Sequence, residues 1–356
     1  MIALAENIQP RRPAFLVTID TEGDNLWARQ ANITTENARF LPRFQALCEK
    51  YGIRPTWLTN WEMAVAPAYQ SFAKDVLARN TGEIGMHLHA WNSPPLEPLT
   101  ADDNLHHPYL IEYSQSMIQR KVALMTDTLE ETFGVKMVSH RAGRFSFNEI
   151  YARVLVEHGY LVDGSVTPNI SWKGYKGDPN GSGGTDFSKF PQHAYLVDLD
   201  NIRRPGDSPL LEIPVSVTEP YFSQAARSAR KALQKLPLGK KVANRLFPSL
   251  AWLYPKGKNH RMLPRLLQTV LHEGRDFAEF MIHSSELMPG GSPNFPHHKS
   301  IENLYDALES LFAQAQAMFE PMTMHEYHTR FTSAISSAAR PTPSPQFTKQ
   351  CSTSVD

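Results

Sequence analysis

The clearest pattern in the chain is a short apolar run that ends on an acid. Ala14-Phe15-Leu16-Val17-Thr18-Ile19 is continuous and rich in β-branched residues, and it runs into Asp20. Such a run reads as a strand buried on both faces, as in a parallel sheet, with polar residues at its carboxyl end. Helical spacing follows over 36–51 and stops at Gly52. The alternation then repeats. Strands are expected at 54–58, 83–88, 135–139, 161–163 and 277–282, and helices at 64–80, 114–133, 148–158, 263–272 and 300–318. Short strands alternating with longer helices predict an α/β fold with a mainly parallel sheet, which periodicity alone leaves as either a barrel or an open sheet.

Two stretches break the rhythm. Residues 168–194 are rich in Gly, Asn, Asp, Ser and Pro and are expected to be a long loop, either functional or disordered. The second stretch is marked by charge. Between Pro220 and His272 there is no acidic residue, while Arg227, Arg230, Lys231, Lys235, Lys240, Lys241, Arg245, Lys256, Lys258, Arg261 and Arg265 are all basic. The whole chain carries 36 Lys plus Arg against 36 Asp plus Glu, so everything outside this stretch carries the opposing negative charge. Helical patterns at 223–236 and 240–246 interleave Leu233, Leu236, Leu238, Val242, Leu246 and Phe247 with these cations. A basic amphipathic segment over 223–247 can lie on an anionic membrane or hold a substrate diphosphate; it can equally be a solvated hairpin covering the domain.

Composition narrows the class. With 356 residues and 41% apolar content the chain can bury a large core. The expected layout is a flexible leader at 1–12, a single domain at 13–335 and a disordered Pro/Ser/Thr-rich tail at 336–356. No apolar run is long enough for a transmembrane helix, and the first residues lack the basic-then-apolar order of a secretory signal. A cytoplasmic protein is expected, peripheral at the inner face of the membrane if the basic segment docks there. Cys48 and Cys351 are too few for a disulfide framework or a cysteine zinc site. Balanced overall charge argues against a nucleic-acid partner.

The residues able to do chemistry fall at expected strand ends. Thr18-Ile19-Asp20-Thr21-Glu22-Gly23-Asp24 places three acids within five residues, with Asp20 and Glu22 on one side of an extended chain. Close carboxylates need a cation, and a divalent metal is the usual one. Asp24 can join them as a ligand or cap the following helix. In Glu83-Ile84-Gly85-Met86-His87-Leu88-His89-Ala90-Trp91-Asn92 the two histidines share a face, and two imidazoles plus one carboxylate make a common three-ligand site with open positions. Arg141, in Ser139-His140-Arg141-Ala142-Gly143-Arg144, can hold a carboxylate in its ionised form. Asp163 in Val162-Asp163-Gly164-Ser165 and His283 in Phe280-Met281-Ile282-His283-Ser284-Ser285-Glu286 complete the series. Trp91 and Trp172 can stack on sugars or simply fill the core.

In this order the motifs resemble the polysaccharide deacetylase superfamily (the NodB homology domain of carbohydrate esterase family 4) over roughly residues 13–330. The resemblance implies a distorted (β/α)7-type barrel, here carrying a basic helical insert at 221–262. It implies a divalent metal, zinc before cobalt, nickel, manganese or iron. It assigns Asp20 as general base, Glu22, His87 and His89 as metal ligands with Asp24 competing, Arg141 as the residue orienting the base, Asp163 as the acid tuning the late histidine, and His283 as general acid. The implied reaction is removal of an N- or O-acetyl group from a sugar, with a lipid- or nucleotide-linked glycan intermediate as the expected partner. Three departures stand out, the first being Asp-x-Glu at Asp20 and Glu22 where members carry adjacent aspartates or Asp-x-Asp. The histidines are spaced His-x-His rather than His-x-x-x-His, and Gly143 replaces the proline that follows the arginine by two residues. They suggest a branch similar to deacetylases of bacterial surface-polysaccharide and lipopolysaccharide biosynthesis. A deformylase or amidase acting on a lipid-linked amino sugar, and a glycan-binding barrel without activity, are the competing readings.

Overall fold

The computed structural model describes residues 11–29, 32–218, 220, 224–246 and 250–338. The leader up to residue 10 and the tail from 339 lie outside the described residues. Residues 336–338, expected in the tail, are the last turn of the helix Met324–Ala338.

Eleven strands are described: β1 (Ala14–Thr21), β2 (Thr56–Thr59), β3 (Glu83–Leu88), β4 (Ser139–Ala142), β5 (Val162–Asp163), β6 (Tyr195–Leu196), β7 (Leu211–Glu212), β8 (Val217–Thr218), β9 (Ala251–Trp252), β10 (Phe277–His283) and β11 (Glu320–Met322). The main sheet runs β10-β1-β2-β3-β4-β5-β7-β6, with β11 also beside β1. All its pairings are parallel except β6 with β7. The sheet curls into the distorted barrel that the sequence suggested. Its two ends do not meet directly. The backbone around β8 and β9 fills the seam: Val215 N donates to Val166 O (2.9 Å), Leu253 N to Ser216 O (3.0 Å) and Met281 N to Leu253 O (3.2 Å), while Glu279 N donates to Ser216 Oγ (2.9 Å).

Alternation along β1 explains where the chemistry sits. Phe15, Val17 and Ile19 join the main core with Phe44, Phe280 and Phe312. Ala14 and Leu16 point the other way, into a second cluster with Val162, Phe277 and Tyr327. Thr18 and Asp20 continue that inner face. β10 repeats the scheme in register, Ala14 opposite Phe277 and Asp20 opposite His283. The inner face is therefore apolar at the amino end of the strands and polar at the carboxyl end.

Several boundaries differ from the sequence expectation. The strand expected at 135–139 is instead Ser139–Ala142. Gly134 ends the preceding helix Gln115–Phe133 at φ 70°, and Val135 is spent on the exposed approach to the sheet. The expected 36–51 helix divides into a 3-10 turn Glu36–Phe40 and the helix Leu41–Lys50. The basic insert contains the helices Gln224–Leu233 and Gly239–Leu246, but 251–262 is not helical insert. It returns to the barrel through β9, which pairs antiparallel with β8. Residues 168–194 form no regular helix; their ends are tied by Trp172 N to Thr185 O (3.0 Å) and Phe187 N to Ile170 O (2.8 Å). No described helix is long and apolar enough to cross a membrane.

Candidate functional site

The carboxyl ends of β1, β3, β4 and β10 surround a pocket of about 170 Å³ lined by Asp20, Glu22, His87, His89, Arg144 and His283, with Trp27, Trp91 and Phe145 at its rim. Glu22, His87 and His89 are buried and offer ligand atoms all within 4.8 Å of one another. The two Nε2 atoms are 2.9 Å apart, and each faces Glu22 Oε2, at 3.7 Å from His87 and 3.3 Å from His89. His87 Nδ1 lies 2.9 Å from the carbonyl oxygen of Arg141. A carbonyl can only accept, so Nδ1 carries the proton and the Nε2 lone pair is turned toward Glu22. Two imidazole nitrogens and a carboxylate oxygen converging at this spacing fit zinc or another borderline divalent ion, which would relieve the crowding of lone pairs.

Asp24 takes no part in this cluster. Its Oδ2 accepts from Thr34 Oγ1 (2.7 Å) and Glu36 N (2.8 Å), and its Oδ1 accepts from Asn37 N (2.9 Å) and Nδ2 (2.7 Å). It fastens the turn before the 3-10 helix, so Glu22 is the acid that faces the histidines. Glu62 steadies that turn as well, accepting from Gly23 N (3.0 Å), Asn60 Nδ2 (2.6 Å) and Asn92 Nδ2 (2.7 Å) and so tying together the loops after β1, β2 and β3.

Arg141 is fully buried on the inner face. It does not grip one carboxylate with both arms. One terminal nitrogen donates to Asp20 Oδ1 (2.7 Å), the other to Glu279 Oε1 (2.6 Å), and Nε donates to Gly164 O (2.8 Å). Thr18 Oγ1 also donates to Glu279. Burial pushes the Asp20 carboxyl up, but Arg141, aided by His87 and His283, outweighs it and holds the carboxyl below its ordinary value. Asp20 is thus an ionised carboxylate in a dry site.

His283 stands opposite, with Nε2 4.0 Å from Asp20 Oδ2. Its Nδ1 is 3.2 Å from Glu286 Oε2. Burial alone favours the neutral ring, but Glu22, Glu286 and Asp20 prevail and raise its pKa to about 9. Glu286 is in turn held by Tyr254 Oη (2.7 Å) and Asn294 Nδ2 (2.9 Å). Trp27 meets the His283 ring edge-on at 5.0 Å.

Asp163, expected to tune His283, does something else. Val162 points into the inner cluster, so the next residue faces outward. There Asp163 Oδ1 is 2.6 Å from His140 Nδ1, and His140 Nε2 is 2.7 Å from Tyr151 Oη. The parallel register puts His140 directly beside Asp163. The acid that partners His283 is Glu286, three residues on in the same motif.

Trp91 lines the pocket and lies edge-on to His89 at 5.3 Å. Trp172 does not line it. It stacks on Phe145 at 5.6 Å and 16°, and Phe145 is the ring that faces the pocket. Arg144 and Phe145 both adopt left-handed backbone, at φ 53° and 54°. Non-glycine residues there cost on the order of 1 kcal/mol each, and such strain gathers at binding sites. Arg144 is anchored by a 2.9 Å bond to Asn104 Oδ1.

Sequence reading passed over Glu286, Glu279, Trp27 and Arg144. Glu279 left a signal, a lone acid inside the apolar run Phe277–His283. Glu286 stood at the fourth position of a turn begun by His283. Trp27 left none.

No sequence-family model matches the chain, and no curated protein matches it by sequence. Solved structures do resemble it. A Mycobacterium smegmatis protein provisionally named a polysaccharide deacetylase is 15% identical, covers 92% of this chain and 93% of its own, and superposes with a TM-score of 0.51. A Parabacteroides distasonis protein provisionally named a glycoside hydrolase/deacetylase is 11% identical over 90% of this chain and 72% of its own, with a TM-score of 0.56. The 4-alpha-glucanotransferase of Thermococcus litoralis is 13% identical over 91% of this chain and 41% of its own, at 0.50. The likeness is one of fold, the distorted barrel that polysaccharide deacetylases share.

Proposed function

We propose that the chain is a metal-dependent hydrolase that removes an acetyl group from the nitrogen or oxygen of a sugar. The observation that carries this reading is a single one. An ionised carboxylate, Asp20, and a protonated imidazole, His283, face each other 4.0 Å apart in the same pocket as the Glu22, His87 and His89 cluster. A glycan-binding barrel has no use for that combination.

A divalent ion held by Glu22, His87 and His89, zinc by the chemistry of the donors, would supply Lewis acidity toward water and the acyl oxygen. Asp20, kept ionised by Arg141, takes a proton from the attacking water as its oxygen bonds to the acyl carbon. His283 gives its proton to the leaving nitrogen or oxygen as the bond to carbon breaks, and acetate and the free sugar group remain. The similarity of fold to proteins named polysaccharide deacetylases supports a carbohydrate substrate.

Within this reading the enzyme works in the cytoplasm on intermediates of surface-polysaccharide or lipopolysaccharide synthesis, with a lipid or nucleotide carrier. Leu236, Leu238 and Val242 are exposed beside Lys231, Lys235 and Lys241 in the insert, a suitable face for an anionic membrane. Flotation with anionic liposomes should retain the full chain and lose a variant lacking 223–247; equal binding by both, or by neither, removes the membrane contact. For the reaction itself, metal content and acetate release are measured together. About one ion per chain and acetate from acetylated sugars, both lost in His87→Ala/His89→Ala, is the expected result. Formate in place of acetate would make the enzyme a deformylase, and an active preparation without metal would overturn the mechanism.

A further inference from the structure

A second cavity, of about 870 Å³, lies where the insert returns to the barrel, lined from Asn244 to Arg265. Lys256, Lys258, His260, Arg261 and Arg265 line it, and no carboxylate does. Among the described residues, none of the two lysines and two arginines forms an ion pair. Like charges gathered on one wall repel, and their complement is an anion of more than one charge. Arginine forks and lysine ammoniums together suit phosphate oxygens.

The wall is built rather than accidental. Asn259 accepts from Lys256 N (2.7 Å) and donates to Tyr254 O (2.8 Å), closing the turn that carries the cations. Gly257 sits in that turn at φ 67°, and a Cβ there would stand 2.7 Å from the carbonyl oxygen of Asn294. The Lys256 ammonium is held 5.0 Å from the ring centre of Trp252. The His260 ring runs nearly parallel to that of Phe295 at 6.5 Å, its Nε2 buried without a hydrogen-bond partner among the described residues.

The wall of this cavity packs against that of the metal pocket. Trp252 packs edge-on against Phe145 at 5.6 Å, and Phe145 lines that pocket. Tyr254 and Asn294, at the root of the cationic turn, both donate to Glu286, which partners His283.

We propose that this cavity binds the diphosphate of the substrate while its acylated sugar occupies the smaller metal pocket. The substrate class is then a sugar or short glycan on a diphosphate carrier. This rests on the deacetylase reading, and the test separates the two. Inorganic pyrophosphate is titrated calorimetrically into the metal-loaded full chain and into Lys256→Ala/Arg261→Ala. Pyrophosphate should bind, and the variant should bind at least tenfold more weakly while keeping its metal and its rate on an uncharged acetylated sugar. No binding, or binding that survives in the variant and so reflects the metal alone, overturns the site. Competition by UDP-N-acetylglucosamine against farnesyl diphosphate then distinguishes a nucleotide from a lipid carrier, each outcome supporting the shared chemistry. If pyrophosphate binds as expected but no acetylated sugar diphosphate yields acetate, the anion site stands and the deacetylase reading falls.

Discussion

Gly143 and His89 occupy each other's space. A Cβ built on Gly143 would lie 2.4 Å from His89 Cδ2 and 2.7 Å from the carbonyl oxygen of Leu88. No ordinary side chain fits, and a proline ring fits least. The His-x-His spacing and the glycine at 143 therefore go together. With His89 two residues after His87, its ring lies against the residue that follows β4, and only a glycine leaves room for it there.

Gly143→Ala should accordingly displace His89 and weaken metal binding by about tenfold or more, a loss of the size seen when a ligand's support is removed. Metal affinity measured by competition with a chelating dye checks it. Wild-type affinity in the variant would mean that His89 is not a ligand or can move freely. Because Gly143 is not at positive φ, backbone strain does not confuse the result.

Arg141 bridges two buried acids, Asp20 and Glu279. Removing it in Arg141→Ala leaves two uncompensated carboxylates in the barrel, a change that costs about 3–5 kcal/mol for a buried pair. Denaturant unfolding should show a loss of that order, partly restored by adding Glu279→Gln. A loss under about 1 kcal/mol would show that water reaches the acids.

The imidazole of His283 has an ordinary value of 6.5 and a folded value of about 9. A group whose folded pKa is raised adds stability that is complete below its unfolded value and is lost as pH rises through the folded one. In the metal-free protein this contribution is present below about pH 6.5 and fades toward pH 9. Glu286→Gln removes a supporting charge and should lower the histidine titration by about one unit or more in NMR spectra. An unmoved titration would remove Glu286 from its positioning role.

Metal should stabilise the fold as well as the reaction, because its ligands come from separate strand ends. At a free zinc concentration a hundred times Kd the expected gain is about 2.7 kcal/mol. Thermal scanning with chelator and with added zinc should show the difference in wild type and none in Glu22→Ala. An equal shift in both would place the binding elsewhere.

Much of this was legible in the sequence, for physical reasons. Long helices leave a period, and strands of six or more residues buried on both faces leave a continuous apolar run, as in β1 and β10. Polar residues at the ends of such strands had to converge because parallel strands align their carboxyl ends. What escaped were β6 to β9 and β11, two or three residues each; β5 is as short, but it follows a helix that left a period and so could be placed by the alternation. The role of Asp163 escaped for a subtler reason. Which face a two-residue strand turns inward depends on its register, and a slip of one position sends a side chain to the other layer.

The pairing of β1 with β10 has a consequence of its own. Thr18 and Glu279, bonded across it, are 261 positions apart. On a ribosome the first strand is made long before its neighbour exists, and loop closure over that distance is slow. Asp20 and His283 therefore come together only after β10 has been synthesised. Until then an apolar strand waits without its partner, in need of shelter by chaperones or by the transient company of β2.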